Sequence, residues 1–383
     1  MNIAIWGVKN SGKILSNLIS KDNNIVCFVD NDISQIGKTI GDKEIWGIDK
    51  LVKAYDAVVD HVVISARNND NIVEVINQLQ SNGIENIGVA DLSFVDYGRT
   101  VNPNKTAGGI FWVNETGRPM LWYLEIPLTK ACNLKCKGCS HFASIFSNGT
   151  EYPLNEFEAD LTHTVNNVDI FRLRLLGGEP FLLKDFEGYV RVARKILPNS
   201  CIQVVSNGLL IPKLDGSVLE AMKNYKVDLV ISVYPPTLKC IPDIISKLEA
   251  HGVRYSFSNY SSQNDLAASR IISFSKNLSF VGNNNPFASM KKCMARGCRT
   301  LYKGKIYKCS TDAHIADLDS YFALGKFTDG GKDIYLDSLD WEEMIRQFNE
   351  LPVELCKFCT EKGQSFDWAV KANPELNDWI IES

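Results

Sequence analysis

Apolar and polar positions alternate along this chain with two periods. Asn2–Trp6, Asn24–Val29, Ala57–Ser65 and Asn86–Val89 are short apolar runs that read as strands, and Gly12–Ile19 and Asn71–Gln80 carry helical spacing. That alternation is the mark of a doubly wound, Rossmann-like α/β sheet. Residues 98–119 break it with Gly98, Pro103, Gly108, Gly109, Gly117 and Pro119, and read as a linker. The alternation then restarts. Leu121–Leu128, Phe171–Leu176, Cys201–Val205, Val227–Tyr234 and Val253–Phe257 read as strands, between helices at Leu154–Val168, Lys184–Ile196, Val218–Tyr225 and Pro242–Ala250. Strands separated by helices pair in parallel. Asn155, with Glu158 three residues on, reads as the first helix cap. Phe366, Trp368, Trp379, Ile380 and Ile381 read as the apolar face of a closing helix. The boundaries that follow are 1–97, 98–119, 120–285 and 286–383.

Composition narrows the class. At 383 residues with 45% hydrophobic positions, the chain is long enough for two to three ordinary cores. A net charge of -4 and a pI near 5.8 give no basic footprint for nucleic acid. No apolar run reaches the roughly 18 residues of a membrane span, and glycine, polar residues and lysines interrupt the N-terminus too soon for a signal peptide. The 11 cysteines are clustered, which suits metal-bound thiolates in a reducing cytoplasm better than a disulfide framework.

The clustering carries the chemistry. Cys132, Cys136 and Cys139 stand at C-x3-C-x2-C directly after a predicted strand. Three thiolates leave a metal site open, and on a [4Fe-4S] cluster they leave one iron free to bind something else. Zinc is the alternative, although zinc sites favour paired C-x2-C units. Further along, Gly177-Gly178-Glu179-Pro180 ends one strand, Ser206-Asn207-Gly208 ends the next, and Ser232 sits on the one after. With Thr129 and Cys132-Asn133-Leu134, this ordered set resembles the radical S-adenosylmethionine (radical SAM) family.

The resemblance implies a partial (β/α)6 TIM-type barrel with its chemistry at the C-terminal strand ends. It implies a [4Fe-4S] cluster on Cys132, Cys136 and Cys139, whose open iron binds SAM. Gly177, Gly178, Glu179 and Pro180 would hold the methionine amine, and Ser206, Asn207 and Ser232 the ribose or carboxylate. An electron donor of flavodoxin or ferredoxin type would reduce the cluster, and reductive cleavage of SAM would give a 5'-deoxyadenosyl radical that takes hydrogen from the substrate. The family's aromatic residue before the third cysteine is replaced by Gly138, which leaves its place to Phe142 or another side chain.

Five cysteines follow: Cys293, Cys298, Cys309, Cys356 and Cys359. With Gly304 and the closing C-x2-C pair, they resemble the SPASM/twitch extension of radical SAM enzymes, a small cysteine-rich auxiliary domain. That implies one auxiliary [4Fe-4S] cluster with one cysteine spare, Cys298 being the first to doubt; zinc remains the rival metal. His141 and His314 are assigned no role, and Cys27, Cys201 and Cys240 read as small buried hydrophobes. Arg172 and Arg174 share a strand face and point either into the barrel, toward a carboxylate or phosphate, or outward.

The first strand turns through Gly7-Val8-Lys9-Asn10-Ser11-Gly12, which keeps two glycines of G-x-G-x-x-G and has Lys9 at the second. Asp30 closes the second strand where a ribose-binding acid belongs. A P-loop is excluded because Ile14 replaces the Ser/Thr that holds magnesium. The stretch resembles nucleotide-binding modules of sugar-modifying enzymes, so Gly7, Gly12 and Asp30 are candidate contacts to a nucleotide or nucleotide-sugar, with a docking module that binds nothing as the alternative. A carbohydrate or nucleotide-sugar substrate, oxidised or epimerised at carbon, is the preferred reading. A peptide-modifying enzyme and a non-catalytic, zinc-stabilised binding protein stand as alternatives.

Overall fold

The computed structural model describes residues 1–66, 69–92, 110–113, 116–146, 149–258, 273–293, 295–327, 334–335 and 340–381. They form two compact units, one up to Met120 and one from Leu121 onward.

The first unit is a sheet ordered β3-β4-β2-β1-β5-β6-β7. Its strands are β1 Asn2–Trp6, β2 Asn24–Val29, β3 Thr39–Ile40, β4 Lys43–Trp46, β5 His61–Ile64, β6 Ile87–Ala90 and β7 Ile110–Trp112, with helices α1 Asn10–Ile19, α2 Ile48–Ala54 and α3 Asn69–Ser81 between them. The strands from β4 through β2, β1 and β5 to β6 pair in parallel, and Ile3, Ile5, Phe28 and Val63 are fully or almost fully buried in its core. Part of the expected linker is structure. Ile110, Phe111 and Trp112, all strong strand formers, add antiparallel to β6 as the edge strand β7. Gly98, Pro103, Gly108 and Gly109 lie outside the described residues.

The second unit is built on an eight-stranded sheet. Its elements are β8 Met120–Leu121, β9 Leu124–Thr129, α4 Leu154–Asn167, β10 Asp169–Ile170, β11 Arg172–Gly177, α5 Phe186–Ile196, β12 Cys201–Ser206, α6 Gly216–Asn224, β13 Asp228–Ser232, α7 Pro235–Leu238, α8 Ile241–His251 and β14 Tyr255–Ser258. There follow β15 Ser273–Ser279, α9 Pro286–Lys292, β16 Thr300–Tyr302, β17 Lys305–Tyr307, α10 Ser310–Tyr321, β18 Ile334–Tyr335, α11 Trp341–Glu350, β19 Cys359–Asp367 and β20 Ile380–Ile381. The sheet order is β14-β13-β12-β11-β9-β16-β17-β18, and its first five strands pair in parallel.

Strand alternation explains why the helices cover one face. Leu124, Ile126, Leu173, Leu175, Ile202 and Val204 pack with Phe157, Leu161, Val190 and Met222 of α4, α5 and α6. The intervening residues, among them Glu125, Arg174 and Gln203, take the opposite face.

Four expectations change. The sixth parallel strand among the described residues is β16, on the far side of β9, because β15 pairs antiparallel with β19 and parallel with β20 in a sheet of its own. The sheet also continues into the cysteine-rich segment, since β16 pairs with β9 at Thr300 and Glu125. At α4 the cap is Pro153, whose fixed backbone suits a helix start, and no side chain caps the helix. The closing segment is the strand β19 and a 3-10 turn at Leu376–Asp378 rather than a helix. Partner strand β15 offers hydrogen bonds that override its helical spacing.

Candidate active site

The loop after β9 gathers the three cysteines, and each sulfur is met by N–H donors. Leu134 N donates to Cys132 Sγ (3.4 Å) and Trp368 Nε1 to Cys136 Sγ (3.2 Å). Backbone groups of Ala143, His141 and Phe142 donate to Cys139. Burial pushes the thiols of Cys132 and Cys136 up to about 12 and about 11, and Cys139 upward as well. Buried thiols with N–H groups aimed at their sulfurs suit thiolates bound to a cation, which supplies the positive charge that burial otherwise denies them. Among the described residues no three cysteine sulfurs lie within 4.8 Å of one another. Tetrahedral zinc with bonds of about 2.3 Å would hold them roughly 3.8 Å apart. Three thiols with N–H groups at their sulfurs fit the donor set of an iron-sulfur cluster.

The Gly-Gly-Glu end of β11 lies against this loop. Gly178 N donates to Thr129 O and Glu179 N to Ala131 O, both at 2.7 Å. A Cβ at Gly178 would run into the Ala131 carbonyl and come within 3.1 Å of Cys132 Cβ, so only glycine lets the two backbones meet here. Glu179 is fully buried. Its Oε1 accepts from Ser206 Oγ (2.8 Å) and its Oε2 from Asn207 N (2.9 Å), which ties the end of β11 to the end of β12. Burial pushes its carboxyl up to about 7 against those hydrogen bonds. Asn207 Nδ2 donates to Asn133 Oδ1 (2.6 Å) inside the cysteine loop. Pro180 opens a short 3-10 turn, and Ser232, at the end of β13, bonds Tyr234.

The structure thus brings Gly177, Gly178, Glu179, Pro180, Ser206 and Asn207 together around Cys132. Much of the polar capacity of Glu179 and Ser206 goes to each other, which makes them the frame of the site.

A feature from far along the chain closes the site. Cys136 bridges antiparallel to Val370, Lys137 N donates to Ala369 O (2.8 Å), and Lys371 N donates to Lys135 O (2.9 Å). Trp379 Nε1 donates to Cys139 O (2.9 Å). Trp368 stacks on Tyr234 with ring centroids 5.9 Å apart. Gly138 sits at φ +64, where a Cβ would lie 2.5 Å from the Phe366 ring and 2.9 Å from Asp378 O. Phe142, a candidate for the missing aromatic role, is turned instead into the apolar cluster of Ile145, Leu278, Ile315 and Trp379. Sequence reading missed Phe366 and Trp368; the glycine at position 138 was the signal that another side chain fills that space.

The later cysteines divide. Cys293 follows α9, Cys309 caps α10, Cys356 lies in a 3-10 turn and Cys359 starts β19. Cys309 feels the charge of Cys359 and Cys293, and Cys359 that of Cys356 and Cys293. Burial pushes Cys359 up to about 12 and raises Cys309 and Cys356. Cys298 feels Cys293 too, but after its own burial its strongest influences are Glu125, Arg174 and Arg299. Of the presumed packing cysteines, Cys27 is buried while Cys201 and Cys240 are half-buried.

In the first unit, Gly7 and Gly12 form the tight turn into α1, and Gly7 N donates to Val29 O (2.8 Å). Asp30 accepts from Val8 N (3.2 Å) and Asp32 N (3.0 Å), so its carboxylate braces that turn.

Residues 126–256 match the Radical SAM superfamily model. The chain carries a radical SAM domain. The radical SAM domain implies a [4Fe-4S] cluster and S-adenosylmethionine. Among curated relatives, a GTP 3',8-cyclase of Moorella thermoacetica is 32% identical over 110 residues, 28% of this chain and 34% of the relative. Molybdenum cofactor biosynthesis protein 1 of Dictyostelium discoideum is 33% identical over 95 residues, 24% of this chain and 15% of the relative. The chain thus spans about a third or less of these relatives' lengths. Among solved structures, BtrN in complex with AdoMet and 2-DOIA shares 15% identity over 64% of this chain and 98% of its own, at a TM-score of 0.38. SuiB of Streptococcus suis bound to S-adenosylmethionine shares 22% identity over 38% of this chain and 35% of its own, at a TM-score of 0.30. No helix among the described residues is long and apolar enough to cross a membrane.

Proposed function

We propose that this protein is a radical SAM enzyme whose second unit binds two iron-sulfur clusters and acts on a small polar substrate, with a carbohydrate or nucleotide-sugar preferred. The observation that carries the reading is the convergence of the three-cysteine loop with the Gly-Gly-Glu end of β11 and the Asn207 end of β12. When bound, the cluster and SAM supply a carbon-centred radical able to take hydrogen from unactivated carbon. The protein's own groups do the rest. The glycine pair leaves backbone room beside the thiols, Glu179 fixes the two strand ends, and the 366–379 segment covers the loop and excludes water. The Phe366 ring packs against Gly138, the position at which the family's aromatic residue is missing.

Cys293, Cys309, Cys356 and Cys359 are the set we assign to an auxiliary [4Fe-4S] cluster, with Cys298 outside it. The carbohydrate preference rests on the likeness of the first unit's Gly7–Gly12 turn and Asp30 to nucleotide-binding modules of sugar-modifying enzymes. The similarity to proteins named GTP 3',8-cyclase favours a nucleotide-like substrate as a second reading. In the first unit, the Gly7–Gly12 turn with Asp30 is a candidate nucleotide site.

Anaerobic reconstitution, iron counting and a dithionite assay for 5'-deoxyadenosine test the proposal. About eight irons per chain with deoxyadenosine formed is the expected result. About four irons would remove the auxiliary cluster, and an iron-free protein that forms no deoxyadenosine would defeat the enzymatic reading.

A further inference from the structure

Opposite the helix-covered face of the barrel sheet, one row of polar residues crosses adjacent strands in register: Gln203 on β12, Arg174 on β11, Glu125 on β9 and Thr300 on β16. On β9, β11 and β12 the residues on either side of this row are apolar and face the helices. A row of charge inside a barrel is costly unless its groups are paired, so the pairing is informative.

Glu125 is well supplied. Its Oε2 accepts from Tyr123 Oη (3.0 Å), its Oε1 accepts from Thr300 Oγ1 (2.9 Å), and His141 Nε2 lies 3.7 Å away, within ion-pair reach. Arg174 is not. Its Nε donates to Gln203 Oε1 (2.9 Å) and its guanidinium lies over the Tyr123 ring at 5.3 Å. Among the described residues, nothing accepts from its two terminal nitrogens, even though Glu125 is its register partner on the next strand. Gln203 has no exposed surface, and its Nε2 also lacks a partner. The amide cannot be turned round to cure this, since a reversed Gln203 would set its NH2 against the Arg174 N–H. Buried donors are nearly always satisfied in folded proteins, so the partnerless Gln203 Nε2, beside the half-buried guanidinium of Arg174, marks an acceptor that the chain does not itself provide.

We propose that Arg174 and Gln203 form a substrate subsite for a singly charged oxyanion, a carboxylate or a phosphodiester, carried by the hydroxyl-bearing ligand of the reading above, on which this inference rests. The planar fork of arginine matches two oxygens of such a group. One unpaired cation, with the Glu125 carboxylate nearby, favours one negative charge over the two of a phosphomonoester. Tyr123 supports the guanidinium from its face, and Gln203 orients it while adding a donor of its own.

The test is a binding titration on the reconstituted, SAM-loaded protein under anaerobic conditions. Cyclic AMP, with one singly charged phosphodiester, serves as the phosphodiester probe, glucuronate as the carboxylate probe and glucose as the uncharged control. Wild-type protein is expected to bind at least one charged probe more tightly than glucose, and which one it prefers identifies the source of the oxyanion. Arg174→Gln should weaken that probe about tenfold or more, Arg174→Lys less, and Gln203→Leu several-fold, because hydrogen bonds to charged groups are strong when desolvated. Iron content and SAM binding should match wild type in all three. Equal affinity of Arg174→Gln and wild type for the charged probes would overturn the proposal. So would a wild type that binds SAM but neither charged probe, or a loss of iron in both the Arg174 and Gln203 variants, which would assign the pair to folding alone. A wild type that binds neither iron nor SAM would instead defeat the radical SAM reading.

Discussion

Trp368→Phe is the sharpest perturbation of the cysteine loop, because it removes one N–H and leaves an aromatic ring. Trp368 Nε1 lies 3.2 Å from Cys136 Sγ, and its ring stacks on Tyr234. A hydrogen bond to a charged acceptor contributes roughly 1.5–3 kcal/mol. The bond strengthens as the acceptor gains negative charge, so it favours the reduced cluster. If about 1 kcal/mol of it is gained on reduction, its loss lowers the midpoint by roughly 40 mV, at about 59 mV per tenfold for one electron. The expected result is a more negative midpoint in a redox titration followed by electron paramagnetic resonance, with iron content unchanged. Hydrogen bonds to cluster sulfurs are among the factors that set such potentials. An unchanged midpoint at full iron loading would refute the reasoning, because the N–H would then carry no differential energy. Trp368→Ala, which also removes the stack on Tyr234, should shift the midpoint in the same direction and weaken SAM binding as well.

Gly138→Phe, which places the aromatic residue that the family resemblance leads one to expect, should destabilise this chain. The left-handed backbone at φ +64 costs about 1–2 kcal/mol for a residue with a side chain, and the clash with Phe366 adds about 1–3 kcal/mol. Anaerobic thermal melts should show partial rescue by Phe366→Ala. Serine at Cys309, Cys356 or Cys359 should remove about four irons per chain while deoxyadenosine formation from SAM persists; Cys298→Ser should leave iron content unchanged. Glu125 gives a pH signature. Burial would raise its carboxyl, yet His141, Thr300 and Tyr123 outweigh burial and hold it below its ordinary value. A depressed carboxylate stabilises the fold above its unfolded pKa, and that contribution is lost as pH falls through the folded value. The melting-temperature gap between wild type and Glu125→Gln should therefore narrow as pH drops from about 7 toward 4; a constant gap would show that Glu125 gains nothing from its partners.

Much of the cysteine loop and its surroundings is local in the chain. Cys132, Cys136 and Cys139 lie within one loop, and the Gly-Gly-Glu and Ser-Asn-Gly segments each end a strand whose apolar run announces it. Parallel strands with helical crossovers then carry those ends to the same edge of the sheet, as the bonds from Glu179 to Ser206 and Asn207 show. The strands at Asn2–Trp6 and Asn24–Val29 were legible to the residue for the same reason, namely period and β-branched composition.

The chain's own alphabet thus determined the alternating α/β order, the three-thiol loop and the residue types at the strand ends, because these are properties of neighbours in sequence. Tertiary structure alone decided what pairing over long separation decides. Residues 366–379 became a strand and a turn that strap the cysteine loop instead of a helix, since backbone groups of 135–137 and β15 offered partners that no local pattern encodes. Arg174 turned inward, an even choice from sequence, because its register neighbour Gln203 holds its Nε on the face opposite the helices. Cys298 stands just before β16, where pairing with β9 puts Glu125 and Arg174 among its strongest influences. In each case the deciding contact joins residues that lie dozens to hundreds of positions apart, and only the folded chain brings them within reach.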